Sequence, residues 1–307
     1  MFEIERGVRQ GCPLSALLYV LCAEVLAIEI RGNDNIKGYK YNNLENEHKL
    51  NSFADDNIFC ITTEPSIYEL FKVLDRYELA TNSKINHDKT QALWTGGWIN
   101  RTDKPLGLKW TSSEVELTGV FIGNDRKAAS RKSYEIIKHD IKNNLSYWNT
   151  KYISLKGKAR TLNIFILSKL WYCLECMDLP SDIFDEINRM TKAYFWKDLH
   201  QRELKVLSYP YEKGGLNLES ISIKMKTFRI KWLTEMIATE KQCIARYLVD
   251  KLIGTRNGIS GLKMLNYRTD ISDIKNDFYR NAIKIWYSMG IEYTPKNINS
   301  IKNDYIY

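Results

Sequence analysis

Disulfide staples, paired metal-binding cysteines and long apolar runs are what this 307-residue sequence lacks. Its six cysteines (Cys12, Cys22, Cys60, Cys173, Cys176 and Cys243) are scattered. A chain this long buries enough surface to fold without cross-links, so a reducing compartment, cytoplasm or nucleus, is the expectation. Cys173 and Cys176 form a C-x-x-C, but no second Cys or His pair lies near. Their surroundings are apolar and helix-like, so they read as buried helix neighbours rather than a zinc or redox site. The first residues, Met1-Phe2-Glu3-Ile4-Glu5-Arg6, do not form the charged-then-apolar leader of a signal peptide. The longest apolar run, Leu162 to Leu174, is broken by Asn163, Ser168 and Lys169. It is too short to cross a bilayer, so neither a transmembrane segment nor a membrane partner is expected. No internal repeat or low-complexity tract is visible.

What is present is a globular composition, 44% apolar, with a net charge of +8. The charge is concentrated. Between Arg126 and Arg160 stand Arg126, Lys127, Arg131, Lys132, Lys138, Lys142, Lys151, Lys156, Lys158 and Arg160, opposed only by Glu135 and Asp140. This local excess equals that of the entire chain, and a basic patch of this kind suits a polyanionic partner. The aromatic residues within it, Tyr134, Tyr147, Trp148 and Tyr152, are expected in the core.

Along the chain, Phe2 to Glu5 alternates like a strand. Arg6-Gly7-Val8-Arg9-Gln10-Gly11-Cys12 follows as a polar, Gly-punctuated loop before Pro13, which suits a first helical turn. Leu14, Leu17, Leu18, Leu21, Val25 and Ile28 recur at helical spacing and predict an amphipathic helix to about Ile30. The loop amides, with Arg6 and Arg9, face a helix N-terminus suited to phosphate. Gly38–Tyr41 and His48–Leu50 read as short strands. Phe53-Ala54-Asp55-Asp56-Asn57 then reads as a strand–turn–strand with two carboxylates at its tip. Side chains alternate along extended chain, so at most one of the two acids points squarely into a given site. Such a pair suits Mg²⁺, and equally suits plain polar turn chemistry.

A helix from Pro65 to about Asn82, a strand from Gln91 to Trp94 and strands over Leu106–Trp110 and Leu117–Gly123 complete an α+β region, an antiparallel sheet with helices on one face. From Asp125 the periodicity is helical: a stripe of Ile137, Ile141, Leu145 and Trp148, another over Leu162–Leu170, and a helix capped by Pro180-Ser181-Asp182 and running to Trp196. Further helices are expected from Leu218, over Lys241–Ile253 and over Ser272–Trp286.

The ordered series Arg6–Ser15, Phe53-Ala54-Asp55-Asp56 and Lys84–Thr90 closely resembles palm motifs B, C and D of the reverse transcriptases of non-LTR (LINE-type) retrotransposons. Leu117-Thr118-Gly119-Val120 is similar to that family's segment at the start of the thumb. Trp148, Leu155–Arg160, Leu179-Pro180, Phe195-Trp196 and Gly214-Gly215-Leu216 resemble the helical region after the palm. The likeness extends from about Phe2 to Trp232. It implies an RNA-directed DNA polymerase acting on an RNA template and a DNA primer. Asp55 would be a metal-binding acid, with Asp56 beside it, for two Mg²⁺ ions. Arg6, Arg9, Gln10 and Gly11 would face nucleotide and template, and Lys89 would donate a proton or charge to pyrophosphate. Arg126, Lys127, Arg131, Lys132, Lys156, Lys158 and Arg160 would grip the nucleic-acid backbone.

The resemblance further implies a partial palm over residues 1–123, an all-α basic thumb over 124–200 and a helical C-terminal extension over 201–307. Against that family the chain opens at motif B, without the earlier strand and its metal-binding Asp. The expectation is an N-terminally truncated chain that does not polymerise by itself. A non-catalytic remnant that binds nucleic acid through its basic thumb is the alternative. Ala16 stands where the family usually has Pro, and Asn57 where it has Thr.

Overall fold

The computed structural model describes residues 11–40, 47–196, 204–238, 271–272, 274 and 276–289. The chain divides into two compact units, Met1–Thr118 and Gly119–Tyr307.

In the first unit, helix α1 (Pro13–Gly32) starts on Pro13, whose missing N–H costs nothing in a first turn. Only Leu26, Ala27 and Ile30 of α1 are buried. They pack with Ile36, Leu50, Leu70 and Val73 against helix α2 (Glu64–Thr81). The stripe expected to face the core does not. Leu14, Leu17, Leu18, Leu21, Val25 and Ile28 are all exposed. α1 is apolar on almost every side, so spacing alone could not choose its buried face. By length and composition α1 is also apolar enough to cross a membrane, which corrects the expectation that rested on Leu162–Leu174 as the longest apolar run.

Polar ties also hold α1 to its neighbours. Arg76 pairs with Glu29 at 2.7 Å, and the Tyr77 hydroxyl donates to the Cys22 carbonyl at 3.2 Å. Buried Lys49 donates from Nζ to the Arg31 and Asn33 carbonyls at 3.0 and 2.8 Å. These acceptors lie at the helix C-terminus, where the last carbonyls lack intrahelical partners and a cation is favoured. α2 ends where Asn82 takes the left-handed conformation, φ 60°, as asparagine tolerates at a cap.

Strands β1 (Leu50–Phe53) and β2 (Asp56–Phe59) pair antiparallel. Strands β3 (Gln91–Leu93) and β4 (Lys109–Thr111) pair parallel, as a separate two-stranded sheet. This differs from the single antiparallel sheet expected. The segment Pro105–Gly107, read as strand, is a 3₁₀ turn with Leu106 at φ 59° and Gly107 at φ 66°. The strand expected over Leu117–Gly123 is likewise divided. β5 (Glu114–Leu117) and β6 (Val120–Gly123) flank a turn with Thr118 and Gly119 both at positive φ. Tyr39 and His48 form one antiparallel bridge, while Tyr41 lies outside the described residues.

The second unit is helical after β6. Helix α3 (Arg126–Asn149) is capped by Asp125, which accepts from the Lys127 and Ala128 amides. Helix α4 (Leu155–Thr161) is capped by Ser154 and runs into a π-helical turn, Leu162–Leu167, and helix α5 (Ser168–Cys176). Helices α6 (Ser181–Trp196), α7 (Leu204–Leu207), α8 (Ile221–Ala238) and α9 (Asp277–Ser288) complete the described part. The helix expected over Lys241–Ile253 lies outside it. Tyr134, Ile141, Leu162, Ile166, Leu170, Leu174, Ile183 and Ile187 form the main core. Of the C-x-x-C pair, Cys173 is buried with its thiol pKa pushed up to about 12 by burial, while Cys176 is exposed rather than buried. Both are free thiols.

Arg229 of α8 is 1% exposed. Its Nη1 donates to the Leu174 carbonyl at 2.6 Å, and its Nη2 to the Met177 carbonyl and Asp178 Oδ1 at 3.1 and 3.0 Å. The guanidinium lies 3.9 Å from the centre of the Phe278 ring on α9. Arg229→Met removes the cation and strands buried carbonyls and a carboxylate. Breaking a buried pair in this way is expected to lower unfolding stability by about 3–5 kcal/mol, read as a lower urea midpoint.

Candidate active site and nucleic-acid interface

The β1–β2 hairpin turns in two residues. Its register pairs Leu50 with Phe59 through to Phe53 with Asp56, leaving Ala54 and Asp55 as the loop. Ala54 carries φ 52° there, a conformation that costs a residue with a Cβ roughly 1–2 kcal/mol. Asp55 therefore sits at the tip, and Asp56 one residue later at the start of β2. Both acids are exposed, as their place in a polar turn predicts. Among the described residues neither carboxylate has an ion-pair partner. Behind the tip, the Ser52 hydroxyl donates to Asn57 Oδ1 across the strands at 2.6 Å, fixing the register next to the acids.

A residue that sequence reasoning missed holds the turn. The Tyr19 hydroxyl of α1 donates to the Ala54 carbonyl at 2.8 Å. Burial first and the Asp55 carboxylate second raise the Tyr19 hydroxyl pKa above its ordinary value. Tyr19 lies two helical turns beyond Gly11 on a helix that leads to the hairpin. That spacing was the available signal, but the apolar stripe drew attention to other positions.

Gly11 takes φ +85°, and a Cβ built there would meet nothing within 4 Å. Glycine is needed for the backbone conformation rather than for space. The N-terminus of α1 that follows has no side-chain cap and no acid in its first turn. Arg6, Arg9 and Gln10 lie outside the described residues. Lys89 sits in a turn closed by Asn86, whose carbonyl and Oδ1 both accept from the Lys89 amide at 3.1 Å. Its side chain is exposed, and the Phe71 and His87 rings, 6.4 Å apart, tie this turn to α2.

No group of three or more His, Cys, Asp or Glu side chains is placed to hold a metal among the described residues. The unpaired Asp55 and Asp56 nonetheless suit Mg²⁺, which takes one or two carboxylates and completes its shell with waters and phosphate oxygens.

The basic residues are placed very differently from one another. Arg131 is committed to Asp182 through two hydrogen bonds of 2.7 and 2.9 Å, which hold that carboxyl below its usual range. Lys158 donates to the Tyr194 and Phe195 carbonyls at 3.0 and 3.2 Å, capping α6 from inside the fold. Lys127 pairs with Asp277 at 3.4 Å, and Lys132 lies 4.3 Å from the Phe121 ring centre. Arg126 stands near enough to Tyr279 to lower that hydroxyl's pKa against the dominant effect of burial. Lys156 and Arg160 are exposed on α4. The expected burial of the aromatics divides too: Tyr134 is fully buried, whereas Tyr147 and Tyr152 are exposed.

The hairpin thus presents two exposed carboxylates at a turn that Tyr19 of α1 holds. Residues 1–122 match the family described as "Reverse transcriptase (RNA-dependent DNA polymerase)", and the match contains the hairpin, Gly11, Tyr19 and Lys89. The chain is also 26% identical over 230 residues to "Transposon TX1 uncharacterized 149 kDa protein" of Xenopus laevis. That alignment covers 74% of this chain and 17% of the relative, so the chain spans less than a fifth of the relative's length.

The strained turn gives a direct test. Ala54→Gly relieves the left-handed strain and is expected to leave the urea midpoint unchanged or higher. Ala54→Val, β-branched at positive φ, is expected to cost more than about 1 kcal/mol.

Proposed function

We propose that the chain is the palm and thumb portion of a non-LTR retrotransposon reverse transcriptase, an RNA-directed DNA polymerase using an RNA template and a DNA primer. The observation that carries this reading is the exposed Asp55-Asp56 pair, held at a two-residue turn by Tyr19 inside the reverse-transcriptase match. In this reading residues 1–123 serve as palm, 124–200 as thumb and 201–307 as a helical extension.

Asp55 and Asp56 would hold Mg²⁺, which when bound supplies positive charge at the phosphates of the incoming nucleotide. Tyr19 fixes the turn carbonyl and so the direction in which the tip presents its carboxylates. A second ion would need a ligand from outside this pair. Gly11 and the uncapped start of α1 leave backbone amides available to phosphate. Lys89, exposed and ordered by Asn86, is suited to place an ammonium or a proton at a pyrophosphate leaving group. Lys156 and Arg160 would contact the duplex backbone, a salt-dependent attraction.

A second reading, nucleic-acid binding without catalysis, is favoured by the exposed basic residues of α4, Lys156 and Arg160.

Primer extension with Mg²⁺ on an RNA template separates the two. Under the first reading, incorporation by the full chain falls at least about a hundredfold in Asp55→Asn, as expected for loss of a charge-stabilising group, while duplex binding is retained. Salt-dependent duplex binding with no incorporation by the unsubstituted chain would select the second reading.

A further inference from the structure

Six aromatic side chains of the second unit are exposed among the described residues: Tyr147, Tyr152, Phe165, Tyr172, Tyr209 and Tyr211, and four of them adjoin or flank the basic stretch around Lys151 and Lys156. Tyr147 is 59% exposed, Phe165 50%, Tyr211 43%, and Tyr152 has no protein covering it at all. Tyr147 packs edge-on against Trp148 at 5.7 Å, and Trp148 stacks on Phe165 at 5.4 Å. Tyr147 and Phe165 are therefore both backed by Trp148 while remaining open to solvent.

Two of the rings carry a cation. Lys151 Nζ lies 4.7 Å from the Tyr147 ring centre and Lys156 Nζ 5.3 Å from that of Tyr211. The sequence from 141 to 174 contains six basic residues and no acid, and although Lys169 is paired with Asp140 and Glu212 adjoins Tyr211, Lys151 and Lys156 are exposed and form no ion pair among the described residues. Asn163 ties the segment to the loop beyond Tyr211, donating to the Asn217 carbonyl and accepting from the Glu219 amide at 2.8 and 2.9 Å.

Phe165 is outside because of the π-helical turn. Over Leu162–Leu167 the wider helix keeps Leu162, Ile166 and Leu167 in the core and turns Ile164 and Phe165 outward. Such turns are uncommon and concentrate at functional positions.

A nucleotide offers a flat apolar base and an anionic phosphate a few ångströms apart. Exposed rings paired with unneutralised cations match that chemistry. A protein surface of ordinary composition would leave the cations without acidic partners. Paired bases bury their faces in the duplex stack, so rings of this kind can engage only unpaired ones. We propose that Tyr147, Tyr152, Phe165 and Tyr211, with Lys151 and Lys156, form a stacking surface for unpaired nucleic acid, RNA or DNA. The proposal deepens the nucleic-acid reading above and rests on its basic surface, not on Asp55 and Asp56.

The test is fluorescence anisotropy of the full chain over a range of salt. The probes are a labelled oligouridylate, the matching oligothymidylate and a blunt duplex of equal length. Tyr147→Leu/Tyr152→Leu is expected to weaken binding of the single strands by roughly five- to hundredfold. The slope of log K against log salt should stay unchanged, and the duplex should be affected less than about twofold. Lys151→Gln/Lys156→Gln should instead reduce that slope by about one for each phosphate left without its lysine. All four changed side chains are at the surface, and unchanged urea midpoints establish that the variants fold. Comparing the two single strands shows whether the 2′-hydroxyl contributes.

Single-strand binding unaffected by the tyrosine changes, with the salt slope retained, overturns the stacking proposal and leaves the nucleic-acid reading standing. Absence of salt-dependent binding to any probe overturns both. A change confined to sedimentation behaviour, with oligonucleotide binding intact, makes the face a protein-binding surface and likewise overturns the proposal.

Discussion

The second unit depends on one buried cation. Arg229 gathers the last carbonyls of α5, the Asp178 carboxylate and the face of Phe278 around a single guanidinium. Two further bonds converge on the same short linker: the Tyr134 hydroxyl donates to the Met177 carbonyl at 3.1 Å, and the Ser130 hydroxyl to the Asp178 carbonyl at 2.8 Å. Residues 177–178 are thus the point at which α3, α5, α8 and α9 meet. An apolar residue could fill the volume of Arg229, but it could not satisfy acceptors aimed from three directions. In a low dielectric, unsatisfied acceptors cost far more than a satisfied network gains, so the network fixes a single arrangement.

The first unit has the opposite character. Its functional feature is a short hairpin with exposed residues from Asn51 to Asn57 and an alanine in a conformation suited to glycine. Little hydrophobic burial holds that tip. What restrains it is local: one cross-strand side-chain bond at Ser52 and Asn57, and one hydroxyl from α1 on the turn carbonyl. Strain at a turn persists only when its surroundings over-determine it, and Tyr19 supplies that restraint at the residue that carries the strain. The core has no part in positioning these exposed carboxylates.

Much of this was legible in the sequence where the signal is local. The hairpin acids, Pro13 at a first turn, Asn82 as a helix stop and the α6 start at Ser181 all follow from residue-specific backbone chemistry. Failures came where two local readings compete. Leu106 to Trp110 reads as a strand until Leu106 is found at positive φ, a conformation that leucine does not advertise. The helical spacing of α1 fits several faces of an apolar helix, and tertiary packing selected Leu26, Ala27 and Ile30. The parallel pairing of β3 with β4 joins segments separated by two 3₁₀ turns, and no turn signature announces it. Tyr147 and Tyr152 were expected inside because large aromatics usually are, and charge density gave no hint of which side they face.

The basic patch shows how sequence overstates an interface. Ten cations between Arg126 and Arg160 suggest ten phosphate partners, but the fold has already used several. Arg131 is held by Asp182, Lys138 by Glu135 and Glu186 at 2.7 and 2.8 Å, and Lys158 by backbone carbonyls of α6. A cation paired with a carboxylate brings little net charge to a phosphate, and a lysine held by helix-terminal carbonyls keeps its charge but is not free to reach one. The salt dependence of binding should therefore report a handful of phosphates around α4 rather than the full set. In the proposed nucleic-acid reading, affinity beyond that would come from interactions that salt does not screen, such as those of the exposed rings beside Lys151 and Lys156.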